Sequence, residues 1–533
     1  MHHHSINIAA PYPVAPTRRW RCRQRVGLAA LLAWQALAAA QPVQPTASGT
    51  APSVDPGQLV GRPLLIDATT PAPAQALVGA LKAGRSVTLC NVDIDMTGFA
   101  AIDLESGQSL RAAAGCERSA TRLGPRIFVT GKREGGVALF VVRDSNVVMT
   151  GFRLQGPTAG IGSGTEYREY GIQVAPNPDA KPPAAGSAPP APSHLLQGVA
   201  IHNMEIFHWS GAGIDLVDTQ AVHPLGRMTL ANAGGVLIEN NYIHHNRHFD
   251  GFGYGVNVGR GAYAQVRANV FEQNRHAIAG NSVSVDGNDF SGYLFQDNLI
   301  LPGGGLHCTE TSLNVCWQTH QIDMHGTKSE TLNGEHCCGV AGETMLIERN
   351  TILYRGGYRR VGVGALSKEI WEWGLALKIR GNPKGRVLVD GNVFALDNRG
   401  SAIAQNGDGA RLDANGRLLS SITNPIQVTP NNLWGAKPLE QLKTCDFDGD
   451  RVADQFMATG VSWWVRSGAT GQWRYLGTHT EQAGALAVRD VDGDGRCDVV
   501  RKGLMARPDQ YSPRGTGPWL TVGSITRAPA RTP

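Results

Sequence analysis

The chain has 533 residues, 42% of them hydrophobic and only 17% charged, with 66 glycines. That composition fits a turn-rich β protein longer than one ordinary domain and excludes a disordered chain. The formal net charge of +5 comes from one place: Arg18, Arg19, Arg21, Arg23 and Arg25 lie in residues 1–40, which hold no acid, so 44 basic side chains (49 minus 5) face 44 acidic ones in the rest. No basic surplus is left to argue for nucleic acid.

The five arginines form the n-region of an export signal. An apolar run from Val26 to Ala39 follows, and Ala38-Ala39-Ala40 is a small-residue cleavage site before Gln41. The run is too short to span a bilayer stably. Residues 1–40 are therefore expected to be a signal peptide and the mature chain to be secreted, extracellular or periplasmic, with no membrane span. Cys22 leaves with the signal. The eight remaining cysteines, an even number, read as disulfides: Cys90 with Cys116, Cys445 with Cys497, and an open pairing among Cys308, Cys316, Cys337 and Cys338.

Residues 41–60 are a Pro/Ala-rich linker. A helical stretch, Ala74 to Ala83, then precedes the strand Ser86 to Cys90 and is expected to cap the structure that follows. From there the chain repeats itself. One register runs through Tyr170-Gly171-Ile172-Gln173-Val174, Ala212-Gly213-Ile214-Asp215-Leu216, Tyr254-Gly255-Val256-Asn257-Val258, His276-Ala277-Ile278-Ala279-Gly280, His320-Gln321-Ile322-Asp323-Met324, Leu375-Ala376-Leu377-Lys378-Ile379 and Ser401-Ala402-Ile403-Ala404-Gln405. The alternation is that of a strand with one face buried. A second register places an Asn at 241, 269, 298, 350 and 392, with gaps of 28, 29, 52 and 42 residues. Strand repeats of this period, with an Asn at a fixed bend, predict a parallel solenoid with a ladder of buried amides.

The pattern resembles the right-handed parallel β-helix of the pectate-lyase-like superfamily over about residues 62 to 430, and the solenoid is placed at 61–435. The resemblance implies an all-β fold and leaves the reaction open, since the superfamily holds lyases, hydrolases, epimerases and adhesins.

Residues 436–533 change character. Asp446, Asp448, Asp450 and Asp454 recur 44 residues later as Asp490, Asp492, Asp494 and Asp498, and each set is followed by Thr-Gly-x-Trp. Carboxylates at positions 1, 3, 5 and 9, with Gly at 4, make an oxygen cage suited to Ca²⁺. The spacing resembles the calcium loops of FG-GAP repeats. Two repeats are too few to close a propeller. They are expected to pack on each other or on the solenoid end, held by Cys445–Cys497.

In a β-helix, outward side chains of successive turns line up about 4.8 Å apart. The outward column is Gln173, Asp215, Asn257, Ala279, Asp323, Lys378, Ala404; two residues on, the same face carries Asn281, His325 and Arg380. Titratable and aromatic groups concentrate in the middle turns, which marks a site. The catalytic candidates are His276, His320, Asp323, His325, Lys378, Arg380 and Tyr254. The substrate-binding candidates are Asp215, Asn257, Arg247, Arg275 and Asp250, with Arg247 and Arg275 stacked one turn apart and an anion or Asp250 between them. A divalent cation at His320-x-x-Asp323-x-His325 is the alternative to an Asp/His catalytic pair.

Asp215 and Asp323 fall three turns apart, roughly 14 Å at the strand spacing, too far for the carboxyl pair of a glycosidase, which needs about 5–9.5 Å. His325-Gly326 and Lys378-Ile379-Arg380 echo the Gly-His-Gly and Arg-Ile-Lys of polygalacturonases, with the basic pair reversed and the clustered aspartates absent. The favoured reading is a secreted carbohydrate-active enzyme that cleaves an acidic polysaccharide by β-elimination. A histidine or Tyr254 takes the proton, and Lys378 or Arg380 meets the charge. A glycoside hydrolase in the same groove and a non-catalytic adhesion protein are the alternatives.

Overall fold

The computed structural model describes residues 62–131, 138–157, 168–176, 196–217, 235–248, 252–282, 291–304, 320–327, 339–355, 375–406, 422–503 and 507–523, together with the backbone of short strands within 306–372 and 408–421. The signal and linker (1–60), Asp250, and the side chains of Cys308, Cys316, Cys337 and Cys338 lie outside the described residues. Within the backbone that is described, Cys308 stands opposite Cys316 in an antiparallel hairpin.

Among the described residues, three parallel sheets of eleven, nine and nine strands wind around one core. Each coil contributes one strand to each sheet in turn. One coil runs from Val236–Glu239 in the first sheet, through Tyr242–His244 in the second, to Tyr254–Gly259 in the third. Parallel crossovers of this kind are right-handed in about 98% of cases, and the chain folds as a right-handed parallel β-helix. Ile172, Ile214, Val256, Ile278, Ile322 and Leu377 pair in sequence along the third sheet and point inward, nearly all at 0% exposure. Period-2 alternation makes this unavoidable: once those residues face the core, Gln173, Asp215, Asn257, Asp323 and Lys378 must face out.

The helix Pro73–Lys82 covers the open N-terminal end with Leu77, Ala80 and Leu81, all buried in the solenoid core. Pro73 at its first turn fits a position whose N–H has no helical partner, and Gln108 Nε2 donates to the Leu81 carbonyl at 2.8 Å near the far end of the helix.

The bends between the first and second sheets repeat in atomic detail. Asn240, Ala268, Asp297, Arg349 and Gly391 all adopt positive φ, between 54° and 61°. Each directly precedes a buried Asn. Asn241, Asn269, Asn298, Asn350, Asn392 and also Asn432 form one ladder, in which each Oδ1 from Asn269 onward accepts both the backbone N–H and the Nδ2–H of the Asn one coil earlier, at 2.9–3.1 Å. A shorter ladder, Asn246 on Asn274, stands at the next bend.

The C-terminal segment forms two four-stranded antiparallel sheets, Lys443 to Thr478 and Leu486 to Thr521. They share a core that includes Phe447, Phe456, Trp463, Leu486 and Val499 and are joined by the Cys445–Cys497 disulfide. Cys90–Cys116 ties two early coils. Of the two expected packings, the sheets take the first, on each other, and Met457, Trp464 and Trp473 also dock on the side wall of the solenoid, against Val270 and Leu299 of the second sheet and Leu301 and Leu353 just past its strands. Ser467 and Thr470 hydroxyls both donate to the Ala120 carbonyl, and Thr478 donates to Asp297. The second sheet permits this because its outward positions at Val270 and Leu299 are apolar. Trp464→Phe, which shrinks the ring and removes the 2.8 Å indole bond to Ser462, should lower the stability of the docked unit by about 1–2 kcal/mol. Faster proteolytic release of the C-terminal segment at unchanged solenoid stability would register it. No helix among the described residues is long and apolar enough to cross a membrane.

Candidate functional site

The third sheet carries the site on its outward face. Strand Ile322–His325 pairs with Leu377–Arg380 so that Asp323 faces Lys378 and His325 faces Arg380, and Asn281 bridges to His325 from the coil before. Asp323 is the centre. Its carboxylate lies 3.0 Å from His320 Nε2, 2.9 Å from His325 Nε2, 3.1 Å from Arg380 Nε and 3.8 Å from His276 Nε2. Arg380 Nη2 also reaches His320 Nε2 at 3.3 Å. From the opposite wall of the coil, the buried Tyr293 hydroxyl donates to the Asp323 carbonyl at 3.1 Å and fixes that backbone.

An outward residue on a sheet is usually wet, yet Asp323 is 0% exposed. Burial pushes its carboxyl up, but Arg380, then His325 and His320, outweigh that and hold it well below the usual carboxylate range. Burial drives His276 well below an ordinary imidazole and takes His320 down to about 4, so both rings are neutral near pH 7. His325 is the most exposed member, at 23% of its side chain.

A column of rings leads away from this centre. His320 stacks on His276 with centroids 4.5 Å apart, and His276 on Tyr254 at 5.6 Å and 6° between planes. His276 Nδ1 donates to the His320 carbonyl. Arg275 Nη1 donates to the Tyr254 hydroxyl at 2.9 Å. Asp215 is held by Asn257 Nδ2 at 2.7 Å and Gln173 Nε2 at 2.9 Å, and burial pushes its carboxyl up. It stands three register steps from Asp323, through Asn257 and Ala279.

Seven candidates thus sit on neighbouring positions of one face: Tyr254, His276, His320, Asp323, His325, Lys378 and Arg380. Asn246 and Asn274 stack one coil apart; of the arginines that follow them, Arg275 donates to the Tyr254 hydroxyl and Arg247 to Gln273 Oε1 at 3.4 Å. Arg380, two residues beyond the directly opposed Lys378 on the same face, reaches Asp323.

Sequence reasoning passed over two further groups. Arg168 covers the Phe252 ring at 3.5 Å beside Tyr254. On the second sheet, Glu205 pairs with His244 Nε2 at 3.0 Å, and His244 Nδ1 lies 2.8 Å from His245 Nδ1. The dipeptide His244-His245, after a predicted strand, was the available signal.

Among the described residues, three clusters bring ligand atoms within 4.8 Å of one another: His276, His320 and Asp323; Asp446, Asp448 and Asp454; and Asp490, Asp492 and Asp498. In the two acidic loops Gly449 and Gly493 adopt φ of 83° and 77°, which a side chain would resist, and their N–H groups donate to Asp446 and Asp490 Oδ1 at 2.6 and 2.7 Å. Asp450 and Asp494 stand outside these triads. Asp450 accepts the Val452 N–H, while Asp494 accepts the Arg496 N–H and pairs with Arg514 at 2.6 Å.

No family model and no curated protein matches the chain. Among solved structures, the Dettilon tailspike protein aligns at 11% identity over 75% of this chain and 77% of its own, with a TM-score of 0.29. The enzymatically active domain of bacteriophage CBA120 tailspike protein 2 aligns at 11% identity over 85% and 74%, with a TM-score of 0.20.

Proposed function

We propose that the protein is an exported carbohydrate-active β-helix enzyme that cleaves an acidic polysaccharide by β-elimination. The observation that carries this reading is the Asp323 centre, a single ionised carboxylate surrounded by imidazoles and Arg380, with Lys378 on the adjoining coil and Arg275 further along the same face. Among the described residues, Arg380, Lys378 and Arg275 bring positive charge to this face, as a uronate substrate requires. Asp215 is too distant to complete a glycosidase pair.

The Asp323 carboxylate accepts the His325 Nε2–H and leaves Nδ1 as the free lone pair of the most exposed ring. His325 then takes the proton beside the uronate carboxylate. The electron pair of that C–H bond becomes the new C=C bond, and the bond to the leaving glycosidic oxygen breaks with its electron pair going to that oxygen, which takes a proton from water. Arg380 and Lys378 stabilise the negative charge that builds on the carboxylate. Tyr254 and Arg275 offer a hydroxyl and a cation to the adjoining sugar.

Incubation with a panel of polyuronates tests the reading: the ultraviolet absorbance of an unsaturated uronate should appear. New reducing ends without it would indicate hydrolysis, and binding without either would indicate an adhesin. His325→Ala should lower kcat about 10²–10⁴-fold with an unchanged circular dichroism spectrum.

We also propose that Asp446, Asp448 and Asp454, and likewise Asp490, Asp492 and Asp498, hold Ca²⁺, in keeping with an exported chain that carries the Cys90–Cys116 and Cys445–Cys497 disulfides. Burial and the neighbouring carboxylates push Asp448 up, the strain a cation would relieve. Calcium at 100 times its Kd would stabilise a single loop by about 2.7 kcal/mol. A calcium-specific chelator should therefore lower the melting temperature of the C-terminal segment, and Asp448→Asn should remove that sensitivity in the first loop.

A further inference from the structure

We infer that His276, His320 and Asp323 form a binding site for a first-row transition-metal dication, separate in chemistry from the all-oxygen loops of the C-terminal sheets. The three ligand atoms fall within 4.8 Å of one another. Metal–ligand bonds of about 2.0–2.2 Å then need only a small closing movement. All three residues are at most 6% exposed, and they stand on adjacent coils in which Ile278 pairs with Ile322. The scaffold is therefore rigid.

The tautomer of His276 is already set. Its Nδ1 donates to the His320 carbonyl, which leaves Nε2 as the lone-pair nitrogen, 3.8 Å from Asp323 Oδ2. Metal-bound imidazoles are oriented in this way, with the second ring nitrogen donating to a backbone carbonyl. Two imidazoles and one carboxylate select Zn²⁺, Mn²⁺, Fe²⁺ or Co²⁺ over Ca²⁺ and Mg²⁺, which prefer oxygen alone.

Arg380 identifies where the ion goes. Its guanidinium touches the same two ligands, Asp323 Oδ1 at 3.1 Å and His320 Nε2 at 3.3 Å. It is a built-in cation at a position a dication can take. Metal entry displaces it from Asp323 toward the outward face, where it can meet a substrate carboxylate. That consequence rests on the β-elimination reading; the binding itself does not.

Co²⁺ is the probe. The chelator-treated full chain is titrated in saturating Ca²⁺, which fills the C-terminal loops, and the visible spectrum is followed without substrate. The expected result is one equivalent of bound Co²⁺ with d–d bands and no thiolate charge-transfer band. His276→Gln and His320→Gln, each shown folded by circular dichroism, should weaken binding at least about 100-fold. Arg380→Ala should tighten it roughly tenfold, because the competing cation is gone. A role for these residues that is structural alone predicts no gain in Arg380→Ala. The inference is overturned by a folded wild-type chain without d–d bands, by bands that persist in both histidine variants, by a thiolate band pointing to the cysteines, or by affinity in Arg380→Ala no higher than wild type.

Discussion

Asp323→Ala destabilises the chain by about 3–5 kcal/mol, the loss expected when one partner of a buried ion pair is removed and the other is left without a counter-charge. The stranded partner is Arg380, 9% exposed, whose Nε donates to Asp323 Oδ1. His320 and His325 lose their acceptor at the same time. The decisive comparison is a cycle with Arg380→Met. If the carboxylate and guanidinium act as a unit, the double variant Asp323→Ala/Arg380→Met recovers much of the loss, and the coupling read from urea midpoints lies in the range of about 0.5–3 kcal/mol or above. Strict additivity would mean that Arg380 finds another anion. Under the proposed β-elimination both single variants should lose turnover whatever their stability, so the stability cycle and the activity assay report separately.

Asn298→Ala is the second large effect. Asn298 stands in the middle of the amide ladder. It accepts the backbone N–H and Nδ2–H of Asn269, and it donates to the Val266 carbonyl and to Asn350 Oδ1. Truncation orphans a buried N–H on one side and a buried carbonyl on the other, each costing about 1–3 kcal/mol, for roughly 2–6 kcal/mol in all. Asn298→Asp should be no milder, because its carboxylate cannot donate and would face Asn350 Oδ1. Asn432→Ala, at the last rung, should cost less. Amide hydrogen exchange would show the opened region spreading to the coils of Asn269 and Asn350 before the rest; loss of protection confined to residue 298 would contradict the shared ladder.

The stacking order was legible because two signals agree. An aliphatic residue recurs at Ile172, Ile214, Val256, Ile278, Ile322 and Leu377, and an Asn recurs at a bend; neither survives in sequence unless consecutive coils superpose. Strand parity then placed Asp323, Lys378, His325 and Arg380 on one face. What parity could not give was the partner. Lys378 is directly opposite Asp323, but the Arg380 guanidinium arrives from the diagonal position, within reach of a long side chain. Parity alone would set His320 on the face opposite Asp323, yet it joins the site because it precedes the strand that starts at Ile322, where the backbone has not yet taken up the alternation. The docking of Trp464 against Leu299 is tertiary, with no local signature in either segment.

The amide ladder also has a bearing on how this architecture can change. Each rung touches only its immediate neighbours, so the length of chain between rungs is unconstrained: Asn241 and Asn269 are 28 residues apart and Asn298 and Asn350 are 52 apart, yet the contacts are the same. Whole excursions can be inserted or exchanged at the corners while the spine keeps its geometry. The solenoid behaves as a fixed rack on which selectivity loops are interchangeable cassettes, and swapping one leaves the neighbouring shelves undisturbed.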